Sequence, residues 1–313
     1  MRLGTTNFEC VMTARFSNDR RDWSSNLSQD ERSLLEDSMR GVRPHIDIDQ
    51  ALREHWLEIW YQPKIDLKRK CLAGAEALAR IRHPQEGVLW PENFLPGAGD
   101  DSLASLTEHA LLTALRNWTS FADAGFNLHL SVNIPASALG KLPIARLVEE
   151  NRPQSKHWPG LILEVAEDQI VRDIAQTRKI AAELKAGAVT IAIDNFGAGY
   201  SSFASLRDVP FAEIKIDASF VKNCATDVTN AAICQTAIDL AHRFGSVAVA
   251  EGVESMADLQ ALVVMGCDFG QGVLVAPPMP KERFLELLRQ RLNKPQPLGQ
   301  PAGAEGRAAG RVA

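Results

Sequence analysis

The chain has 313 residues, of which 45% are hydrophobic and 23% charged, and a formal net charge of −5. That is enough apolar material for a substantial core in one large domain or two small ones. The negative charge argues against a general polyanion-binding surface, so duplex nucleic acid and membrane lipid are not expected as main partners, although a local basic pocket for a phosphate compound stays compatible with it.

The N-terminus has no signal-peptide apolar core, and no apolar run approaches the roughly 18 residues that span a bilayer, so no membrane insertion is predicted and the cytoplasm is the expected compartment. Residues 1–48 are polar and charge-mixed; Ser28 to Met39 reads as one helix, with Ser28 and Glu31 as a capping box, in a leader or linker. Residues 49–293 carry alternating apolar runs and amphipathic stretches. The tail 294–313 is Pro, Gly, Ala and Gln with almost no large apolar side chain, and is expected to be disordered.

Candidate strands are Leu57 to Ile65, Cys71 to Ile81, Asn127 to Ile134, Gly160 to Val165, Val189 to Ile193, Glu213 to Ile216, Ser246 to Ala250 and Cys267 to Gly270. Between most of them lies a helical pattern. Ser105 and Glu108 read as a capping box for a helix with Leu106, Ala110, Leu111, Ala114, Trp118 and Phe121 on its apolar face. Ile233, Ala237, Leu240, Ala241 and Phe244 mark a later helix, and Phe284, Leu285, Leu287 and Leu288 another. Eight strands with intervening helices predict an α/β fold, a modified TIM (β/α)8 barrel. Only Asp66 to Lys70 separates the first two strands, too short for a helical crossover, so one antiparallel strand near the N-terminus is expected. An open doubly wound sheet is the structural alternative, but no Gly-x-Gly-x-x-Gly turn supports it.

Five scattered cysteines, Cys10, Cys71, Cys224, Cys234 and Cys267, are never at Cys-x-x-Cys spacing and read as reduced, mostly buried thiols. The histidines form no metal-binding pair. In a barrel, chemistry belongs to the C-terminal ends of the strands, and those positions here hold Glu76, Asn133, Glu164, Asp194, Asn195, Lys215, Asp217, Glu251 and Gln271. Lys215 and Asp217, two apart, are expected on the same side of their strand. Taken singly, each has a bland reading as a cap, a loop hydrogen bond or a structural ion pair. Together, five carboxylates and a lysine at the ends of apolar runs are costly to desolvate without a cation, a partner or a phosphate. Glu76, Asn133, Glu164 and Asp194 offer only oxygen, which favours Mg2+ or Mn2+ over zinc. Beside such ions, Glu251 reads as the acceptor of a water proton and Lys215 as the group that orients the water or neutralises developing charge.

From about Trp56 to Leu292 the chain resembles the EAL domain, the bacterial cyclic di-GMP phosphodiesterase module. The resemblance rests on Tyr61-Gln62-Pro63, Glu76-Ala77-Leu78-Ala79-Arg80, Ser131-Val132-Asn133, Leu163 to Glu167, Asp194 to Ser202, Lys215-Ile216-Asp217, Ala250 to Glu254 and Gln271-Gly272. It implies a barrel with one antiparallel strand, opening of one phosphodiester bond of cyclic di-GMP to give linear pGpG, one or two Mg2+ or Mn2+ ions, and a homodimer. By the same resemblance, Glu76, Asn133, Glu164 and Asp194 hold the first metal, with Asp194 and Asn195 at the second, and Lys215 and Glu251 flank the water. Gln62, Leu78, Arg80, Asp217 and Gln271 belong to the nucleotide site, and Glu167 and Glu254 to the coupling between loop, dimer and metal. Three departures stand out: Asn195 where the family has Asp, which removes an anionic ligand; Asp168 where it usually has Ser; and Val273 and Val275 in place of aromatic residues, which thins the wall near one guanine. A receptor that keeps the nucleotide pocket without hydrolysis is the alternative function.

Overall fold

The computed structural model of the chain describes residues 46–172, 174–185, 187–198 and 209–292. The helix expected over 28–39 and the tail expected from 294 lie outside them. A short helix, α1 (Ile48–Arg53), is capped by Asp47 and leads into β1 (Leu57–Asp66) and β2 (Cys71–His83). These two pair antiparallel from Leu57 opposite Ile81 to Asp66 opposite Cys71. The turn is closed by Asp66 Oδ1, which accepts from the Arg69 amide at 2.6 Å. As expected, the link is a hairpin.

The chain continues through β3 (Gly87–Leu89), α2 (Asp100–Asp123), β4 (His129–Asn133), α3 (Ala136–Lys141), α4 (Ile144–Asn151) and β5 (Leu161–Ala166). Then follow α5 (Glu167–Arg172), α6 (Ile174–Lys185), β6 (Val189–Phe196), β7 (Glu213–Ile216), α7 (Ala218–Val221), α8 (Val228–Arg243) and β8 (Val247–Ala250). The last elements are α9 (Met256–Met265), β9 (Phe269–Gln271), β10 (Met279–Pro280) and α10 (Lys281–Leu292).

Strands β2, β4, β5, β6, β7, β8 and β9 run parallel in that order, and β1 lies antiparallel between β9 and β2, closing an eight-stranded barrel. All eight expected strands are present. The short β3 and β10 add to β2 and β1; at three and two residues they leave no hydrophobic period to read.

One expected cap is corrected. Helix α2 starts at Asp100, with Gly99 as its N-cap, and Ser105 Oγ donates back to the Asp101 carbonyl at 3.0 Å. Asp100 and Asp101 suit the positive end of the helix, which begins nearly two turns upstream of the Ser105 signal. The apolar face named from the sequence does pack inward: Leu111, Ala114, Trp118 and Phe121 are no more than 1% exposed.

A second, smaller cluster of Ile48, Ala51, Leu57, Ile81, Leu89, Phe94 and Leu106 covers the far end of the hairpin. The boundary expected at 48 therefore falls within α1, whose Ile48 is part of this cluster. Cys224, Cys234 and Cys267 are buried free thiols, and Cys71 is half-buried.

Candidate active site

The strand ends place the polar residues on one buried point, the Lys215 ammonium. Lys215 projects from β7 and is 1% exposed. Its Nζ lies 2.5 Å from Glu164 Oε2 on β5, 2.7 Å from Glu251 Oε1 just after β8, 3.0 Å from Asp194 Oδ1 on β6 and 3.5 Å from Glu76 Oε2 on β2. Four carboxylates face one cation, leaving three formal negative charges in excess. In this arrangement the carboxylates converge on the ammonium, and among the described residues no group of three His, Cys, Asp or Glu side chains is set to enclose a metal ion.

The crowding separates the acidities. Burial, reinforced by Glu76 and Asp194, pushes the Glu164 carboxyl well above the usual range against the pull of Lys215. Burial likewise pushes Glu251 up to about 8, with Asp194 and Glu76 adding to it. Glu76 goes the other way: burial opposes ionisation, but Lys215 and hydrogen bonds from Asn133 and Gln271 outweigh it. Burial disfavours the charged Lys215, yet Glu164, Glu251, Glu76 and Asp194 together hold it protonated well above the ordinary lysine range. Pairs of carboxyls driven apart in acidity by their surroundings are a frequent mark of acid–base sites.

A polar network braces Glu76. Asn133 Nδ2 donates to Glu76 Oε1 at 2.6 Å, and Gln271 Nε2 donates to Glu76 Oε2 at 2.6 Å and to Gln62 Oε1 at 3.1 Å. The barrel register explains this meeting, since Gln62 sits opposite Glu76 and Glu76 opposite Ser131. An open cleft above the network is lined by Gln62, Glu76, Leu78, Glu251, Glu254 and Gln271, with Val273 at its edge. Val275, by contrast, is 3% exposed in the main core, so of the two valines only Val273 shapes the cleft wall.

Two glycines bring the loops close. Gly252 has φ +61°, and a Cβ there would come within 2.5 Å of Ala218 Cβ; Gly197 has φ +96°, and its Cβ would meet the Phe220 ring at 2.9 Å. Only glycine fits both the conformation and the approach. The amide of Gly197 donates to Glu167 Oε2 at 2.9 Å, tying the loop after β6 to the start of α5. Asn195 adopts φ +55°, a left-handed conformation that Asn tolerates, and its exposed side chain donates Nδ2 to Asp194 Oδ2 at 3.0 Å.

Two expected site residues, Asp217 and Arg80, stand differently. Asp217 does not join the cluster around Lys215: it is the N-cap of α7, accepting from the Ser219 amide at 2.8 Å and the Ser219 hydroxyl at 2.5 Å. Strand β7 ends at Ile216, so the alternation that would carry Asp217 to the side of Lys215 has stopped. Arg80 is 2% exposed, its guanidinium 4.0 Å from the Trp90 ring centroid and 5.9 Å from that of Trp60, with Nη1 donating to the Ala79 carbonyl and Nε without a hydrogen-bond partner among the described residues. Its guanidinium is thus covered rather than open to the cleft. Glu254 is exposed on the cleft wall, 3.9 Å from Lys222. The sequence reading missed Trp90, and it missed a buried Lys64–Glu213 pair inside the barrel; a lysine among the apolar residues of β1, two from Gln62, was the available signal.

Comparison with known proteins agrees with the fold and the motifs. The EAL domain family model matches residues 46–278. Over 242 residues the chain is 36% identical to the bifunctional diguanylate cyclase/cyclic di-GMP phosphodiesterase MucR of Pseudomonas aeruginosa, covering 76% of the chain and 35% of MucR. It is 33% identical over 246 residues to the cyclic di-GMP phosphodiesterase RocR of the same organism, covering 77% of the chain and 62% of RocR. The chain thus spans about a third and three fifths of these two relatives. Among solved structures, the MucR phosphodiesterase in complex with c-di-GMP superimposes with a TM-score of 0.70 at 36% identity, over 76% of this chain and 97% of that one. The EAL enzyme Bd1971, bound to cAMP and cyclic-di-GMP, gives 0.70 at 26% identity, over 85% and 71%. With its barrel, its motifs and a family match over most of its length, the chain belongs to the EAL domain family.

Proposed function

We propose that this domain is a divalent-cation-dependent phosphodiesterase that opens one phosphodiester bond of cyclic di-GMP to give linear pGpG. The observation that carries the reading is the cluster of four carboxylates on buried Lys215 at the mouth of an EAL barrel. So much buried negative charge calls for cations. The donor set suits Mg2+ or Mn2+: every candidate ligand among Glu76, Asn133, Glu164, Asp194 and Asn195 offers oxygen, and Glu164 Oε1 is buried with no hydrogen-bond partner among the described residues.

Divalent cations held there would offset phosphate charge and lower the pKa of the attacking water. Glu251 accepts the water proton; its raised affinity for a proton suits a base once nearby positive charge favours its ionised form. Lys215, fixed between Glu164 and Glu251, orients the water and offsets charge developing on the phosphate. Gln62, Leu78 and Gln271 line the cleft where the nucleotide would lie, and Arg80 reaches a phosphate only if its cover over Trp90 opens. The family resemblance also supports a homodimer whose contacts act on the site through the loop that Glu167 holds.

Turnover of cyclic di-GMP with Mg2+ or Mn2+ tests the reading. pGpG should accumulate with the wild-type protein and not with Glu76→Ala; no pGpG at any metal concentration would remove it. A second reading, a cyclic di-GMP receptor, draws on Asn195, whose amide is turned to donate to Asp194. Nucleotide binding by calorimetry without turnover would favour that reading, and no binding would defeat it.

A further inference from the structure

Beneath the carboxylate cluster, the barrel interior holds a second charged contact. Lys64 on β1 donates from Nζ to Glu213 Oε1 at 2.8 Å and Oε2 at 2.6 Å, and the two residues are 2% and 4% exposed. Barrel interiors at this level are ordinarily filled by branched apolar side chains. Exchanging a buried ion pair for apolar residues of similar volume is often neutral or stabilising. Stability alone therefore gives little reason for charge here.

The position of the pair gives a better one. In the sheet order β9 and β8 lie between β1 and β7, so Lys64–Glu213 ties together two strands that are not neighbours. Glu213 is two residues before Lys215 and projects to the same side of β7. Lys64 is two residues after Gln62 and pairs in register with Gln271 of β9. Gln271 donates to Glu76 and to Gln62, so both belong to the network that braces Glu76. The ion pair thus links the strand that carries Lys215 to the strands that carry the Glu76 network.

We propose that Lys64 and Glu213 are positioning residues, whose ion pair across the barrel sets the height of Lys215 against the Glu76–Gln271–Gln62 network and so keeps the carboxylates in register for cations and substrate. The proposal rests on the phosphodiesterase reading. An error of about 1 Å in such a register is enough to cost about a hundredfold in rate.

The test is the paired apolar replacement Lys64→Met with Glu213→Leu, because either change alone leaves a buried charge unpaired and risks the fold. The double variant should fold with an unchanged or raised thermal midpoint. Its Mn2+ dissociation constant, measured by calorimetry, should rise about 10–100-fold, as for other groups that orient ligands. Its kcat for cyclic di-GMP should drop comparably, with KM little changed. A folded double variant with wild-type Mn2+ affinity and kcat overturns the proposal. So does a double variant that is unfolded or strongly destabilised, since the pair would then be a requirement of the fold. If the wild type binds Mn2+ but releases no pGpG, the phosphodiesterase reading fails while the Mn2+ titration still decides this one; a wild type that does neither overturns both.

Discussion

At the scale of single residues, under the proposed phosphodiesterase reading, the site trades stability for cation binding. Glu164 carries a buried oxygen with no hydrogen-bond partner among the described residues and a carboxyl pushed strongly toward its neutral form. Glu164→Gln should raise the stability of metal-free protein by roughly 0.5–2 kcal/mol while abolishing Mn2+ binding, the usual direction of such exchanges at functional sites. Thermal melts with and without Mn2+ check both halves, and a destabilised variant would count against the argument. Asn195 makes a related case. Its amide donates to Asp194, a bond that Asp could not make, so Asn195→Asp should lower the metal-free midpoint yet raise turnover and reduce the metal concentration required. Unchanged kinetics would mean that a second cation does not depend on this side chain.

The acidity of Glu251 gives a prediction with a definite sign. Burial pushes its carboxyl up to about 8 in the fold, from the ordinary 4.5 of an exposed one, so between those values the folded state binds more protons than the unfolded chain. Stability in EDTA should therefore fall as pH rises from about 4.5 to about 8. Glu164, also held high, adds to the same slope; His109 and His129, held low by burial, oppose it below their ordinary range; Glu76 and Asp258, held low, act only below the window. Glu251→Gln should make the fall shallower than in the wild type; a variant whose stability changes with pH just as the wild type's does would contradict it.

At the scale of elements, the aromatic contact between the two ends of the domain matters most. Phe284 of α10 stands 5.8 Å from Tyr61 of β1 and 5.2 Å from Phe121 of α2, and Tyr61 stands 5.0 Å from Phe121. These rings pin the last helix to the antiparallel strand that closes the barrel. Phe284→Ala should cost about 3–5 kcal/mol by denaturant unfolding, whereas a loss below 1 kcal/mol would show that α10 contributes little to closure. The sequence marked Phe284 as part of an apolar helical face, but not its partners, because spacing along one helix says nothing about which strand it meets. The start of α2 was misplaced for a similar reason: the Ser105 signal is genuine chemistry, but the acidic pair before it extends the helix past that point.

At the scale of the whole molecule, the antiparallel β1 turns a list of strand ends into a site. Because β1 runs against both neighbours, Gln62 falls opposite Glu76 and Lys64 opposite Gln271, and side chains far apart in sequence brace one carboxylate. The sequence by itself determined the barrel, the hairpin and most of the residues that gather at its mouth. Those follow from local causes: apolar runs that must be buried, a link too short for a crossover, and polar groups placed where each run ends. Only the tertiary structure decided that Lys215 would stand among four carboxylates, that Asp217 would cap a helix, that Arg80 would lie beneath Trp90, and that Lys64 would reach Glu213 across the barrel. These outcomes depend on strand register and on where each strand stops, which are set by long-range packing and leave no periodic trace along the chain.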